Sequence, residues 1–171
     1  PVSHLADQLR NRHSRTRILD SEDRSVIHVL TWSYEKLAEP TQRVFRLLGL
    51  HPGSGLSSHA IAAIAELPLG EATACAEMLC DANLLKQPGP GRYQMHDLVI
   101  DSARHLSESH DDASARHAAL VRMADYYLRC INAWCSRIAP TTVAIEAEPH
   151  YSPAVPKAGS RSEAITALDT D

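Results

Sequence analysis

Apolar residues recur at steps of three and four through most of the chain, and the breaks in that rhythm divide it into helices. Val26, Val29, Leu30, Tyr34 and Leu37 form one stripe from Ser25 onward, with Trp32 on its flank. Asp20, Glu22 and Asp23 precede it, where acidic groups suit the positive end of a helix dipole. A second helix is expected at Pro40, whose missing amide would have no partner in a first turn; Val44, Leu47 and Leu48 supply its buried face and Gly49 its stop. Pro52-Gly53-Ser54-Gly55 reads as a loop. Ser57 or Ser58 can cap a third helix with Ile61, Ile64 and Ala65 inward and Pro68 as its limit, and Ala72, Cys75, Ala76 and Leu79 share one side of a fourth, from about Glu71 to Ala82.

The rhythm then changes. Two short runs, Leu84-Leu85-Lys86-Gln87 and Arg92-Tyr93-Gln94-Met95, flank Pro88-Gly89-Pro90-Gly91, which predicts a hairpin. Its second strand runs straight into Met95-His96-Asp97, where the Asp97 carboxylate is expected to cap the next helix, so His96 stands at a strand-to-helix junction. Leu98, Val99, Ala103 and Leu106 predict a short fifth helix broken over Ser107 to Asp112. Leu120, Met123, Tyr127, Cys130, Ile131 and Trp134 mark the inward stripe of the longest helix, between Asp112 and Arg137.

The ends carry less pattern. Val2, Leu5 and Leu9 suggest the last turns of a helix before an Arg-rich polar stretch, while Pro140, Pro149, Pro153 and Pro156 interrupt a linker that precedes one more helical start at Ser162. The expected organisation is therefore a helix end and linker over 1–23, a compact domain over 24–108, a connector helix over 112–138, and a linker with the start of a helical repeat over 139–171. The fold class is mainly α. Helices followed by a two-stranded hairpin are the order of a winged helix-turn-helix, with Gly70 to Asn83 in the place of the second motif helix. The alternative is a generic helical bundle with an incidental hairpin.

With 171 residues, 44% apolar and only 5% aromatic, the chain can bury one ordinary core rich in Ala and Leu. The formal charge of −4, from 17 basic and 21 acidic residues, gives the whole chain no nucleic-acid footprint. The charge is uneven, with Arg10, Arg12, Arg15, Arg17 and Arg24 crowding the start and no Lys or Arg between Arg46 and Lys86. Cys75 and Cys80, like Cys130 and Cys135, are five apart, a spacing that faces helical thiols differently, so they read as core fillers of an intracellular protein rather than a zinc or disulfide framework. No apolar run approaches the roughly 20 residues that span a bilayer, so a cytoplasmic location and no membrane contact are expected. An opening at Pro1 without a Met suggests a piece of something longer.

Enzyme motifs are missing: there is no G-x-x-x-x-G-K-[ST], H-E-x-x-H or G-x-S-x-G, and Gly89-Pro90-Gly91 is too short to cradle phosphate. The chain by itself is expected to hydrolyse nothing. His105, His110 and His117, spaced five and seven apart across a predicted helix break, argue weakly for a metal. A DNA-reading helix over Glu71 to Ala82 would meet phosphate with Glu71, Glu77 and Asp81, and the wing adds only Lys86 and Arg92. A third possibility is a protein-interaction module, with Tyr126, Tyr127 and Trp134 as the docking face.

With Met95-His96-Asp97 directly after a winged helix, the chain resembles the NB-ARC class of signal-transduction (STAND) NTPases, whose winged-helix subdomain ends in such a motif. Trp32-Ser33-Tyr34 with Leu37, Phe45 through Gly53, Ala82-Asn83-Leu84-Leu85, Pro90-Gly91-Arg92-Tyr93 and His96-Asp97-Leu98 resemble the same region of actinomycete multidomain transcriptional regulators of the SARP type, which govern antibiotic pathways. The resemblance covers most of Asp23 to Trp134. It implies a regulatory module of a nucleotide-switched protein, with ADP or ATP bound in the intact protein and no cofactor expected in this chain by itself, a neighbouring nucleotide-binding subdomain and TPR repeats as partners, DNA contacted only through other domains, and homo-oligomer formation on activation left open.

It also implies that His96 reads the terminal phosphate of ADP and helps to hold the resting form, with Asp97 fixing the junction and Met95 packing inward. A protonated imidazole could donate from both nitrogens, each such bond worth roughly 1.5–3 kcal/mol. Moving a switch from 1:99 to 99:1 takes about 5.5 kcal/mol, so His96 would be one latch among several. On spacing alone, one of ten histidines at a strand end is an ordinary surface or hydrogen-bonded residue.

Overall fold

The computed structural model describes residues 21–138 together with 155, 156, 160 and 162, so the expected helix end at 2–9 and most of the linker and repeat start over 139–171 lie outside the described residues. In chain order the elements are α1 (Ser21–Glu35), α2 (Glu39–Leu48), β1 (Gly55–Ser57), α3 (Ser58–Ala65), α4 (Leu69–Asp81), β2 (Lys86–Gly89), β3 (Arg92–Gln94), α5 (Asp97–His110) and α6 (Ala113–Ile138). The described residues are thus mainly helical with one small antiparallel sheet, of strand order β1-β3-β2. None of their helices is long and apolar enough to cross a membrane.

The hairpin forms, but its turn is shorter than expected: Pro88 and Gly89 belong to β2, Leu84 and Leu85 precede it, and Pro90 and Gly91 alone make the turn, with Gly91 at φ 66 in the left-handed region that an L side chain resists. β1 takes in Gly55 from the expected loop and Ser57, one of the two expected caps. It becomes a strand because Gly55, Leu56 and Ser57 pair with Gln94, Tyr93 and Arg92 of β3, a partner far along the chain that local composition does not reveal. Leu56 and Tyr93 lie opposite one another and both turn into the core.

Ser57 then caps α3, its hydroxyl accepting from the Ala60 amide at 3.1 Å. α2 has Pro40 in its first turn and buries Val44, Phe45, Leu47 and Leu48 against Ile61, Ile64 and Leu79. Gly49 ends α2 as expected, but for another reason. Its φ is −61, and a Cβ there would lie 2.4 Å from the Arg104 backbone nitrogen, so the missing side chain is what lets α2 and α5 close on each other.

Three stripes differ from the hydrophobic pattern. Among the described side chains of α1, Val29 and Trp32 are each 60% exposed and Tyr34 is buried, with Leu30, and Leu37 just beyond the helix, packed against the edge of the core. α5 is not broken at Ser107 but continues to His110, with Ser107 buried. On α6 the buried line is Ala119, Tyr126, Cys130 and Trp134, whereas Leu120 and Ile131 are exposed. The line is turned because Arg122 and Asp125 lie on the buried side. Arg122 donates to the Ile64 carbonyl at 2.9 Å and sits 3.2 Å from Glu66, so a residue that hydropathy assigns to solvent faces inward.

α1, α2 and the α5–α6 corner meet at a buried ion pair. Arg46 reaches Asp111 through Nε at 3.0 Å and Nη2 at 2.9 Å, and its Nη1 donates to the Tyr34 hydroxyl at 2.8 Å. Burial works against the guanidinium charge, but the hydrogen bonds to Asp111 and Tyr34 outweigh it and hold Arg46 above its ordinary range. Next door, Asp112 accepts from the Ser114 hydroxyl and the Ala115 amide, which keep its carboxyl below the usual range and start α6.

Candidate functional site

β3 delivers the chain to α5 without slack. Met95 is buried and its amide donates to the Ser54 carbonyl at 2.9 Å, which pins the strand end to the segment before β1. His96 follows in extended conformation (φ −73, ψ 146), and its carbonyl accepts from the amides of Val99 at 2.8 Å and Ile100 at 2.9 Å. The cap of α5 is therefore His96 and not Asp97. The strand's extended geometry persists one residue past the buried Met95, so His96 takes the cap and Asp97 becomes the first helical residue, its carboxylate at the positive end of the helix dipole.

The cap assigns the tautomer. Nδ1 of His96 accepts from the Leu98 amide over a long 3.4 Å, which leaves Nε2–H as the donor that points away from the helix. While the cap is kept, the ring donates from one nitrogen and not from two. His96 and Asp97 are exposed, and Met95 is sealed beneath them, as expected for it.

The two motif residues face different surroundings. His96 lines a small cleft of about 130 Å³ with Asn83, Lys86 and Gln94 over an apolar floor of Leu84 and Met95. Asp97 lines a separate cleft of about 240 Å³ with Ser54, Asp101 and Arg104. Lys86, Asn83 and Gln94 were not singled out for this site from sequence. The signal was present in the strand period: Gln94 and His96 are two apart on an extended chain and share a side, and Lys86 is the cross-strand partner of Gln94.

Other candidates do not gather. Among the described residues no group of three His, Cys, Asp or Glu side chains is placed to hold a metal, so His105, His110 and His117 form no such site. The four cysteines are free thiols, with Cys75 and Cys130 buried. The exposed side of α4 carries Glu71, Ala74, Glu77, Met78 and Asp81, a surface without a cation. Tyr126 is buried and its hydroxyl lies 3.1 Å from Ser57 Oγ, while the Tyr127 hydroxyl lies 2.7 Å from Nε2 of His51; the expected docking face is largely an internal seam.

No protein-family model and no solved structure matches this chain. This chain is similar to the regulatory protein AfsR. It is 39% identical to the Streptomyces coelicolor protein over 131 residues, covering 74% of this chain and 13% of that protein. With the Streptomyces griseus protein of the same name the identity is 36% over 128 residues, covering the same shares. The chain thus spans 13% of the length of the curated relatives it matches, and both of them are regulatory proteins.

Proposed function

We propose that this chain is the regulatory winged-helix module of a longer, nucleotide-switched transcriptional regulator, and that His96 contacts the terminal phosphate of ADP held by a neighbouring subdomain. The observation that carries this reading is the imidazole itself: exposed, on a junction fixed by the Met95–Ser54 bond, with Nε2–H directed outward. Similarity to two regulatory proteins over a small share of their length supports the setting. The sheet order β1-β3-β2, with helices α3 and α4 inserted between β1 and the hairpin, supports the winged-helix reading. The acidic and apolar outer side of α4 speaks against base or phosphate contacts by that helix, so DNA binding is assigned to other parts of the longer protein.

The module has no catalytic role here. Nucleotide chemistry and the TPR contacts belong to neighbouring parts of the longer chain, and His96 contributes one bond to the resting state. Loss of a charge-assisted hydrogen bond of roughly 1.5–3 kcal/mol corresponds to about ten- to a hundred-fold faster release of ADP. The test is the ADP content and release rate of the longer protein with His96→Ala and with Asp97→Val. Both variants are expected to shed ADP faster, and unchanged retention in both removes the reading.

A further inference from the structure

The two clefts beside the β3–α5 junction differ in charge chemistry. The one at Asp97 contains two carboxylates, Asp97 and Asp101, with Arg104. The one at His96 is lined by no carboxylate: its polar groups are the Lys86 ammonium, the His96 Nε2–H and the amides of Asn83 and Gln94. Among the described residues the side chains of Lys86, Asn83 and Gln94 have no hydrogen-bond or ion-pair partner. A lysine ammonium is donor only, so Lys86 and His96 place two donor side chains on the lining of one apolar-floored cleft.

We propose that Lys86, assisted by Gln94, is a second binding residue for the anion that His96 reads, so that both strands of the hairpin grip one phosphate group. This rests on the nucleotide reading of His96 and extends it to the wing. The strand register carries the argument. Lys86 lies across from Gln94, and Gln94 shares its side of β3 with His96, so the three side chains rise from adjacent positions on one face. Asn83, at φ 58, turns the chain out of α4 and aims it into β2, which fixes where Lys86 stands.

Size limits what the cleft accepts. About 130 Å³ falls short of the roughly 300–1,000 Å³ that enclose whole small-molecule ligands. The cleft suits the anionic head of a ligand whose remainder is held elsewhere. Lysine supplies a mobile point charge and the imidazole a fixed donor, a combination that follows a phosphate without demanding one bidentate geometry.

The test uses the 171-residue chain, labelled with nitrogen-15 and titrated with inorganic pyrophosphate at constant ionic strength, with ADP and then phosphate as competitors. Native chain is expected to shift its His96, Gln94 and Lys86 resonances, and ADP is expected to displace pyrophosphate. Lys86→Gln is expected to weaken pyrophosphate roughly ten-fold beyond Lys36→Gln, which removes the same charge just after α1, while Lys86→Arg restores most of the affinity. If Lys86→Gln matches Lys36→Gln while His96→Ala still weakens binding, the wing contact is overturned and the histidine reading stands. If the native chain ignores pyrophosphate, the two-strand grip is overturned, and the histidine reading is decided by ADP release from the longer protein. If phosphate competes and ADP does not, the nucleotide is overturned as carrier of the anion, and the proposal with it.

Discussion

The α6 side of the molecule and the β3–α5 junction use similar residue types to opposite ends. Against α6, polar side chains are buried and matched. Arg122 holds the Ile64 carbonyl near the end of α3 and Glu66 beyond it, the Tyr126 hydroxyl meets the Ser57 cap at the start of α3, and the Tyr127 hydroxyl meets His51. One long helix thereby secures both ends of a short one. At the junction, His96, Lys86 and Gln94 are exposed, and their only side-chain engagement among the described residues is the weak cap from Nδ1. Burial without a partner is costly, so polar groups that fold inward must find one, whereas exposed donors collected at one edge are available to something outside. Three buried side-chain atoms among the described residues depart from this, Tyr93 Oη, Ser107 Oγ and Arg129 Nε.

The sharpest way to break the contrast is at the Arg46–Asp111 pair. Asp111→Ala leaves a guanidinium buried with only Tyr34 for company, which is expected to cost about 3 kcal/mol, at the low end for a broken buried pair because both side chains retain slight exposure. Urea unfolding measures it, and a loss under about 1 kcal/mol would class the pair with ordinary surface bridges. Gly49→Ala comes next. A methyl group that must stand 2.4 Å from the Arg104 backbone nitrogen pushes α2 from α5, at about 2 kcal/mol of overpacking. An unchanged melting temperature would mean that the two helices separate freely and that the glycine is incidental.

What could be read from the chain was what local chemistry decides. Pro40, the Ser57 cap and the Pro90–Gly91 part of the expected Pro88–Gly91 turn act within a few residues of themselves and do in the structure what their chemistry predicts, whereas Pro88 and Gly89 are drawn into β2 by pairing with β3. β1 was hidden because three residues become a strand only through β3. The α6 stripe was right at Cys130 and Trp134, with Met123 and Tyr127 packed on the core, and wrong at Leu120 and Ile131, because a periodicity count assigns Arg122 and Asp125 to solvent whereas both are buried, Arg122 on the Ile64 carbonyl. Val29 and Trp32 continue an apolar rhythm on α1 yet are each 60% exposed, and the Lys36 ammonium lies over the Trp32 ring at 4.3 Å from its centroid. At the site, the position of His96 between strand and helix was legible from order alone, but its role as cap was assigned to Asp97, and the convergence of Lys86 and Gln94 on it required the strand register.

The smallest expected effect is the one that separates folding from recognition most cleanly. His96→Ala and Lys86→Ala should each change stability by no more than about 0.5 kcal/mol, since both residues are exposed and the bond lost at His96 is a 3.4 Å cap. The junction itself does not depend on the ring: the carbonyl of residue 96 accepts the Val99 and Ile100 amides whatever its side chain, and the buried Met95 and its bond to Ser54 remain. A variant that melts like the native chain yet loses its hold on pyrophosphate or ADP locates the effect in recognition. If instead His96→Ala costs more than about 1 kcal/mol, as the loss of a strong helix cap does, the imidazole belongs to the fold in the way that Ser57 does. The junction would then be one more anchor, and the difference between the two sides of the molecule would disappear.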